Sequence, residues 1–131
     1  MLHVLLVEDN PADVLLVREA IRTSPINADV TIAYDGLQAL HLLEKLKFRP
    51  DVIVLDLNLP GADGFSVLEQ YRPKDKPPVM VLSGSDRSED KKRALDLGAK
   101  DYVVKPPSFP EFIQTVQTAL MRWYSDRQEK A

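Results

Sequence analysis

The chain has 131 residues and a formal net charge of −3 at pH 7, so we expect one domain, spanning residues 1–131, with no general attraction for DNA. It has no cysteine, which excludes disulfides, thiolate metal sites and cysteine nucleophiles and is typical of a cytoplasmic protein. No apolar stretch approaches the roughly 20 residues that cross a bilayer, so no membrane association is expected either.

Five short apolar runs predict strands. They are rich in Val, Ile and Leu with little alternation, as expected of strands that are covered on both faces. The runs lie at residues 3–7, 30–33, 52–55, 79–82 and 102–104. Helical patterns fill the intervals between them, and strands that alternate with helices predict an α/β fold in which helices cover both faces of a parallel sheet.

The helices have recognisable sequence signals. Asn10 is a predicted N-cap of the first helix, with Pro11 at its first position and Asp13 in its first turn. The second helix is predicted from apolar residues at helical spacing, namely Ala39, Leu40, Leu43 and Leu46. The other helices are predicted at 64–71, 88–97 and 110–127. The helix at 88–97 is mostly polar, which indicates either an exposed helix or an element of low local stability.

Polar side chains follow four of the five predicted strands. Glu8 and Asp9 follow the first strand, Asp56 the third, Ser83 the fourth and Lys105 the fifth. The carboxyl ends of parallel strands meet at one edge of the sheet, so we expect these groups to lie together. Three converging carboxylates repel one another, and one lysine does not neutralise them. An oxygen-only ligand set without His or Cys predicts a magnesium ion at this edge.

The same residues are suited to phosphoryl chemistry. A carboxylate can act as a nucleophile towards phosphorus and form an aspartyl phosphate. Phosphoryl transfer depends mainly on positioning and on charge neutralisation, which magnesium and the Lys105 ammonium would supply. The Ser83 hydroxyl would donate a hydrogen bond to a phosphoryl oxygen. The set therefore predicts a metal-assisted phosphoryl acceptor.

Four ordered motifs give the chain a family resemblance. From about residue 4 to residue 116 it resembles the receiver domain of bacterial response regulators, including the chemotaxis type. The motifs are Glu8-Asp9, Asp56-Leu-Asn-Leu-Pro60 with Asp63-Gly64, Ser83-Gly84, and Gly98-Ala-Lys-Asp-Tyr-Val-Val-Lys105-Pro. This family implies a doubly wound, flavodoxin-like sheet of five strands in the order 2-1-3-4-5. The opening LLVEDNPADVLLVREA is similar to single-domain regulators that serve phytochrome-type histidine kinases.

The resemblance implies a role for each residue of the cluster. Asp56 would be the phosphoacceptor, and Lys105 would bind the phosphoryl group. Asp9 and Asp56 would hold magnesium directly, Glu8 would hold it through water, and Asn58 would supply a backbone carbonyl.

The resemblance also implies a conformational switch. Ser83 would close on the phosphoryl group, and Tyr102 would turn with it. In addition, the family implies a cis peptide bond between Lys105 and Pro106.

Signalling partners follow from the resemblance as well. It implies a sensor histidine kinase as the phosphoryl donor, and we expect no DNA-binding or catalytic output domain. Receivers of transcription factors often dimerise through ion pairs that include a fifth-helix arginine, where this chain has Thr115. We therefore expect a homodimer through an apolar fifth-helix face that includes Phe109, Trp123 and Tyr124. Trp123 and Tyr124 point about 100° apart on a helix, so both rings cannot face one core.

Three alternatives compete with a phosphorylated receiver. A phosphatase of the haloacid-dehalogenase type needs a second acid two residues after its nucleophile, where this chain has Asn58. A degenerate receiver, acting as a phosphorylation-independent binding module, usually lacks one of the acids, the hydroxyl or the lysine. A generic flavodoxin-like module has no reason to gather three acids at the edge that binds its anionic ligand. We expect no enzyme activity beyond the chain's own phosphorylation and dephosphorylation.

Overall fold

The computed structural model describes residues 1–61, 63–72 and 77–130, with side chains as far as residue 125. The strands are β1 (Leu2–Val7), β2 (Ala28–Ala33), β3 (Val52–Leu55), β4 (Val79–Ser83) and β5 (Asp101–Val104). The helices are α1 (Pro11–Arg22), α2 (Gly36–Leu40), α3 (Gly64–Gln70), α4 (Ser88–Asp96) and α5 (Phe109–Lys130). A π-helical turn, His41–Lys45, directly follows α2. Every predicted strand and helix is present.

The five strands form one parallel sheet in the order β2-β1-β3-β4-β5, which confirms the predicted topology. Helices cover both faces, so that β1 supplies side chains to two apolar cores. Leu5 and Val7 belong to the core beneath α2, α3 and α4, whereas Val4 and Leu6 belong to the core beneath α1 and α5. Burial of both faces explains why the strands are uniformly apolar, since apolar burial is the main stabilising contribution to such a fold.

Short polar side chains begin three of the helices. Asn10 accepts a 2.9 Å hydrogen bond from the N–H of Ala12, which confirms the predicted cap of α1. Asp35 and Asp63 accept hydrogen bonds of 2.7 and 2.9 Å from the N–H groups three residues further on, and so cap α2 and α3. Each cap of this kind stabilises a helix by about 1 kcal/mol. Helix α4 has no such side-chain cap, and Ala94 is its one buried residue, in agreement with the exposed helix that the sequence indicated.

The second helix departs from the predicted pattern. The N–H of Leu46 bonds to the carbonyl of His41, five residues earlier, so the chain leaves the 3.6-residue period at this point. The wider turn rotates Leu46 away from the stripe that contains Leu40 and Leu43, and Leu46 is 61% exposed. Leu46 has the helical spacing from which the helix was predicted, but it is not buried with Leu40 and Leu43.

The last helix, α5, packs along α1 and covers one of the two apolar cores. Phe112, Val116 and Leu120, which recur at helical spacing, are buried in it. Trp123 and Tyr124 are both half-buried against the same core, so the expectation that both rings cannot face one core is wrong; each ring borders the core with part of its surface. Within the part of the chain that the structure describes, no helix combines the length and apolar character needed to span a membrane.

Candidate functional site

The groups predicted to converge do meet at one edge of the sheet. Glu8 and Asp56 lie directly after β1 and β3, Ser83 ends β4, and Lys105 lies directly after β5. Glu8, Asp56 and Ser83 are buried polar residues, with 1%, 5% and 0% of their surface exposed, whereas Asp9 is exposed to solvent. The parallel topology causes this convergence, because it brings all four carboxyl ends to the same side.

Lys105 lies at the centre of the cluster. Its Nζ is 2.7 Å from Asp13 Oδ2, 2.9 Å from Glu8 Oε2 and 3.3 Å from Asp56 Oδ2. Burial by itself lowers the pKa of Lys105, but the hydrogen bonds to Asp13 and Glu8 outweigh it, so the net pKa is raised and the ammonium stays charged. Its backbone is anchored too, because the N–H of Lys105 donates a 2.7 Å hydrogen bond to the carbonyl of Ser83. Lys105 is thus held as a fixed positive charge beside Asp56.

Asp13 is the site residue that the sequence analysis missed. We assigned it only to the first turn of α1, yet its carboxylate forms the shortest of the three contacts to Lys105. A signal was present, since Pro11 begins α1 directly after the loop that carries Glu8 and Asp9. That start places the first turn of the helix at the same edge of the sheet. Sequence periodicity alone did not indicate which way the side chain of Asp13 points.

Three of the acids form a group that is suited to a metal ion. Glu8, Asp9 and Asp56 each offer one carboxylate oxygen, and these oxygens lie within 4.8 Å of one another. Hard oxygen ligands with one member open to solvent fit a magnesium ion that keeps several waters. The N–H of Asn58 donates a 3.2 Å hydrogen bond to Asp56 Oδ1, so Asn58 borders the group, and its carbonyl as a metal ligand stays a prediction.

Burial makes Glu8 sensitive to pH. It raises the pKa of the Glu8 carboxyl to about 7, against the opposing effect of the hydrogen bond from Lys105. The folded protein therefore holds this proton more tightly than the unfolded chain does. The resulting stabilisation is complete below the ordinary pKa of 4.5 and is lost as the pH rises through about 7.

We expect the melting temperature of the metal-free protein to fall between about pH 5 and about pH 8, because Glu8 then ionises beside Asp56 and Asp9. Glu8→Gln removes the titrating group and should flatten this fall. Differential scanning fluorimetry in the presence of a chelator measures both proteins. Identical pH slopes for the parent and Glu8→Gln would contradict the assignment of this titration to Glu8.

Two hydroxyl groups of the cluster meet at the loop between β4 and α4. Ser83 Oγ accepts a 3.2 Å hydrogen bond from the N–H of Ser85, and the Tyr102 hydroxyl donates a 2.9 Å hydrogen bond to the carbonyl of Ser85. The hydroxyl of Ser85 in turn donates a 2.6 Å hydrogen bond to Asp90 of α4. Tyr102 is 9% exposed and so already occupies an inward position. These contacts connect the end of β4 with β5 and α4.

The peptide bond before Pro106 differs from what the resemblance implies. The Lys105–Pro106 bond is not cis, since no peptide bond among the described residues is cis. That expectation is wrong, and the trans form is the one that the X-Pro amide itself favours, by about 0.5–1 kcal/mol.

Phe109 is 66% exposed, but fourteen residues of helix, about 21 Å, separate it from Trp123. The predicted partner residues therefore do not form one compact patch.

Comparisons with known proteins agree with this geometry. A family model described as the response regulator receiver domain matches residues 4–117. The transcriptional activator protein IrlR of Burkholderia pseudomallei (strain 1026b) is 38% identical over 121 residues, which cover 92% of this chain and 51% of the relative. The chain thus spans about half the length of the curated relatives it matches.

Solved structures extend the likeness to the fold. The Mn(2+)-bound form of response regulator Rcp1 superposes with a TM-score of 0.86 at 34% identity, covering 95% of each chain. The phosphorylated cyanobacterial phytochrome response regulator RcpA gives a TM-score of 0.86 at 36% identity, covering 95% of this chain and 94% of its own. With the family model matching most of its length, this chain belongs to the response regulator receiver domain family of two-component signalling systems.

Proposed function

We propose that this receiver accepts a phosphoryl group on Asp56 from the phosphohistidine of a sensor histidine kinase. The observation that carries the proposal is the placement of Asp56 3.3 Å from the charged Lys105 ammonium and beside the carboxylates of Glu8 and Asp9. A buried carboxylate next to a fixed cation and a metal-capable group has what phosphoryl transfer requires, namely position and charge neutralisation.

The proposed phosphoryl transfer is a displacement at phosphorus. An oxygen of the Asp56 carboxylate attacks phosphorus, a P–O bond forms, the P–N bond to the imidazole breaks, and the bonding electrons go to that nitrogen. Magnesium, held by Glu8, Asp9, Asp56 and the carbonyl of Asn58, would neutralise charge on the phosphoryl oxygens. Lys105 contributes a positive charge on the other side of Asp56 and stays protonated throughout.

The proposal is tested by incubating the protein with acetyl phosphate, with and without magnesium, and measuring its intact mass. We expect one added phosphoryl group that requires magnesium. A protein that is never labelled would instead support the alternative of a receiver that binds partners without phosphorylation.

The switch is part of the same proposal. The contacts through Ser85 support a coupling in which movement of the Ser83 hydroxyl towards the phosphoryl group is felt at Tyr102 and α4. We expect Ser83→Ala to accept the phosphoryl group and yet lose the response of α4 and β5. Chemical-shift changes on addition of beryllofluoride, a phosphoryl mimic, measure that response. Equal changes in the parent and in Ser83→Ala would refute the coupling.

A homodimer through the α5 face also belongs to the proposal. Phe109 and Val104 are 66% and 40% exposed, and Trp123 and Tyr124 keep part of their rings accessible. Aromatic groups are enriched in interface cores. Light scattering should show a dimer at micromolar concentration, favoured by beryllofluoride and weakened by Tyr124→Glu. A strict monomer in both states would contradict the dimer and favour contact with the kinase or its target.

The single-domain organisation, the cytoplasmic location and the absence of DNA and membrane partners stay predictions from the sequence.

A further inference from the structure

A second polar pocket lies at the opposite edge of the sheet. It has a volume of about 440 Å³, within the range of small-molecule sites. Lys47 and Arg49 line it and precede the first residue of β3, whereas Asp56 follows the last. The pocket is therefore at the amino ends of the strands, remote from the phosphoryl site, and the proposed function makes no use of it.

The pocket concentrates positive charge in a chain whose net charge is −3. Four exposed basic side chains line it, at Lys45, Lys47, Arg49 and Arg72. Glu44 is the one acid among the described residues of the lining, and their net formal charge is therefore +3. None of the four cations takes part in the ion pairs that join described residues, although cations elsewhere, such as Lys105 and Arg122, are paired. A pocket of this character attracts an anion.

A buried hydroxyl forms part of the pocket. Tyr71 is 3% exposed, and its hydroxyl is closed to solvent and interacts with the Arg49 side chain at more than ordinary hydrogen-bond length. Burial raises the pKa of Tyr71, while the nearby charge of Arg49 opposes the rise, so the hydroxyl keeps its proton and remains a donor. Tyr71 therefore closes one wall of the pocket, with Arg49 beside its hydroxyl.

Lys47 occupies an unusual backbone position. Its φ is +57°, in the left-handed region that favours glycine, at the point where the π-helical turn ends and the N–H of Phe48 bonds back to the carbonyl of Leu42. A lysine here costs stability relative to glycine. Strained residues of this kind are often retained at binding sites for the sake of their side chains.

We propose that this pocket binds an oligophosphate, either inorganic pyrophosphate or the phosphate chain of a nucleotide. The three to four negative charges of such an oligophosphate match the net charge of +3 on the described lining residues better than the charge of a single phosphate does. Arg49 and Arg72 are suited to fork-like contacts with phosphate oxygens, and Lys45 and Lys47 add point charges.

Two variants separate binding from folding. Lys47→Gly removes a cation and relieves the left-handed strain, so it should weaken binding about tenfold without lowering the melting temperature. Lys45→Gln removes a second exposed cation of the lining, so it should weaken binding severalfold at an unchanged melting temperature. Lys91→Gln, at an exposed lysine of α4, is the matched control and should bind like the parent.

The measurement is isothermal titration calorimetry of the full chain at low salt with a chelator present, so that magnesium pyrophosphate does not form. We expect pyrophosphate and ATP to bind and adenosine not to bind, which separates the phosphate chain from the base. ATP binding much more weakly than pyrophosphate would identify the free anion as the ligand. No binding of pyrophosphate, binding no tighter than that of orthophosphate, or equal losses in Lys91→Gln and Lys47→Gly would overturn the proposal.

Discussion

Asp56→Asn should abolish labelling of the protein by acetyl phosphate and magnesium, the largest functional effect that we expect from any single substitution. The amide cannot act as the nucleophile that forms an acyl phosphate, and none of the neighbouring acids replaces it in position. Asp13 is not among the three acids of the metal-capable group, Asp9 is exposed to solvent, and burial raises the pKa of Glu8 to about 7, so that part of it is protonated at neutral pH. Intact-mass spectrometry should show one added phosphoryl group on the parent and none on the variant.

The fold should survive this substitution. Asn is close in size to Asp, and the change deletes one of the three carboxylates that contact Lys105, so the melting temperature should not fall. Asp86→Asn, at an exposed acid in the loop before α4, is the control and should be labelled like the parent. Labelling of Asp56→Asn at the level of the parent would show that another residue is the acceptor.

Gly64→Ala should have the largest structural effect. A Cβ at this position would lie 2.5 Å from the backbone oxygen of Asp56 and 2.6 Å from the Cα of Leu57, closer than real Cβ atoms approach. Both contacts are to backbone, so the start of α3 or the loop that carries Asp56 must move. Overpacking of this kind costs about 1–3 kcal/mol, or several degrees of melting temperature for a domain of this size.

The displacement should also slow phosphorylation, because the same loop orients the acceptor. The N–H of Gly64 donates a 3.0 Å hydrogen bond to the carbonyl of Leu57, which ties α3 to the residue after Asp56. Gly84→Ala is the matched control, since nothing lies within 4 Å of the Cβ that it adds. Thermal melts and labelling rates measure both variants. A Gly64→Ala protein that melts and is labelled like the parent would refute the close packing of α3 against this loop.

Much of the fold could be predicted from local patterns. Apolar runs without alternation are typical of strands covered on both faces, and residues 52–55 and 79–82 carry that pattern without exception. The N-cap at Asn10 was predictable because it depends on residue type and position alone. Glu8, Asp56 and Lys105 could be predicted as one site, because each follows a strand and parallel strands end at a common edge.

Other features depend on how the elements pack. The wide turn after α2 interrupts the 3.6-residue period. It exposes Leu46, although its spacing in the sequence groups it with Leu40 and Leu43. The half-burial of both Trp123 and Tyr124 depends on where α5 crosses α1, which periodicity does not report.

The sequence by itself thus determined which residues form strands and which chemically active groups follow them. Only the tertiary structure decided how those groups contact one another. It brought Asp13 to within 2.7 Å of Lys105, turned Tyr102 inward onto the carbonyl of Ser85, and gathered Lys47 and Arg72 around one pocket. The physical reason is that residue type and periodicity act over one or two turns of chain, whereas these contacts join residues from separate elements. Their distances are set by strand register and by helix packing on the sheet.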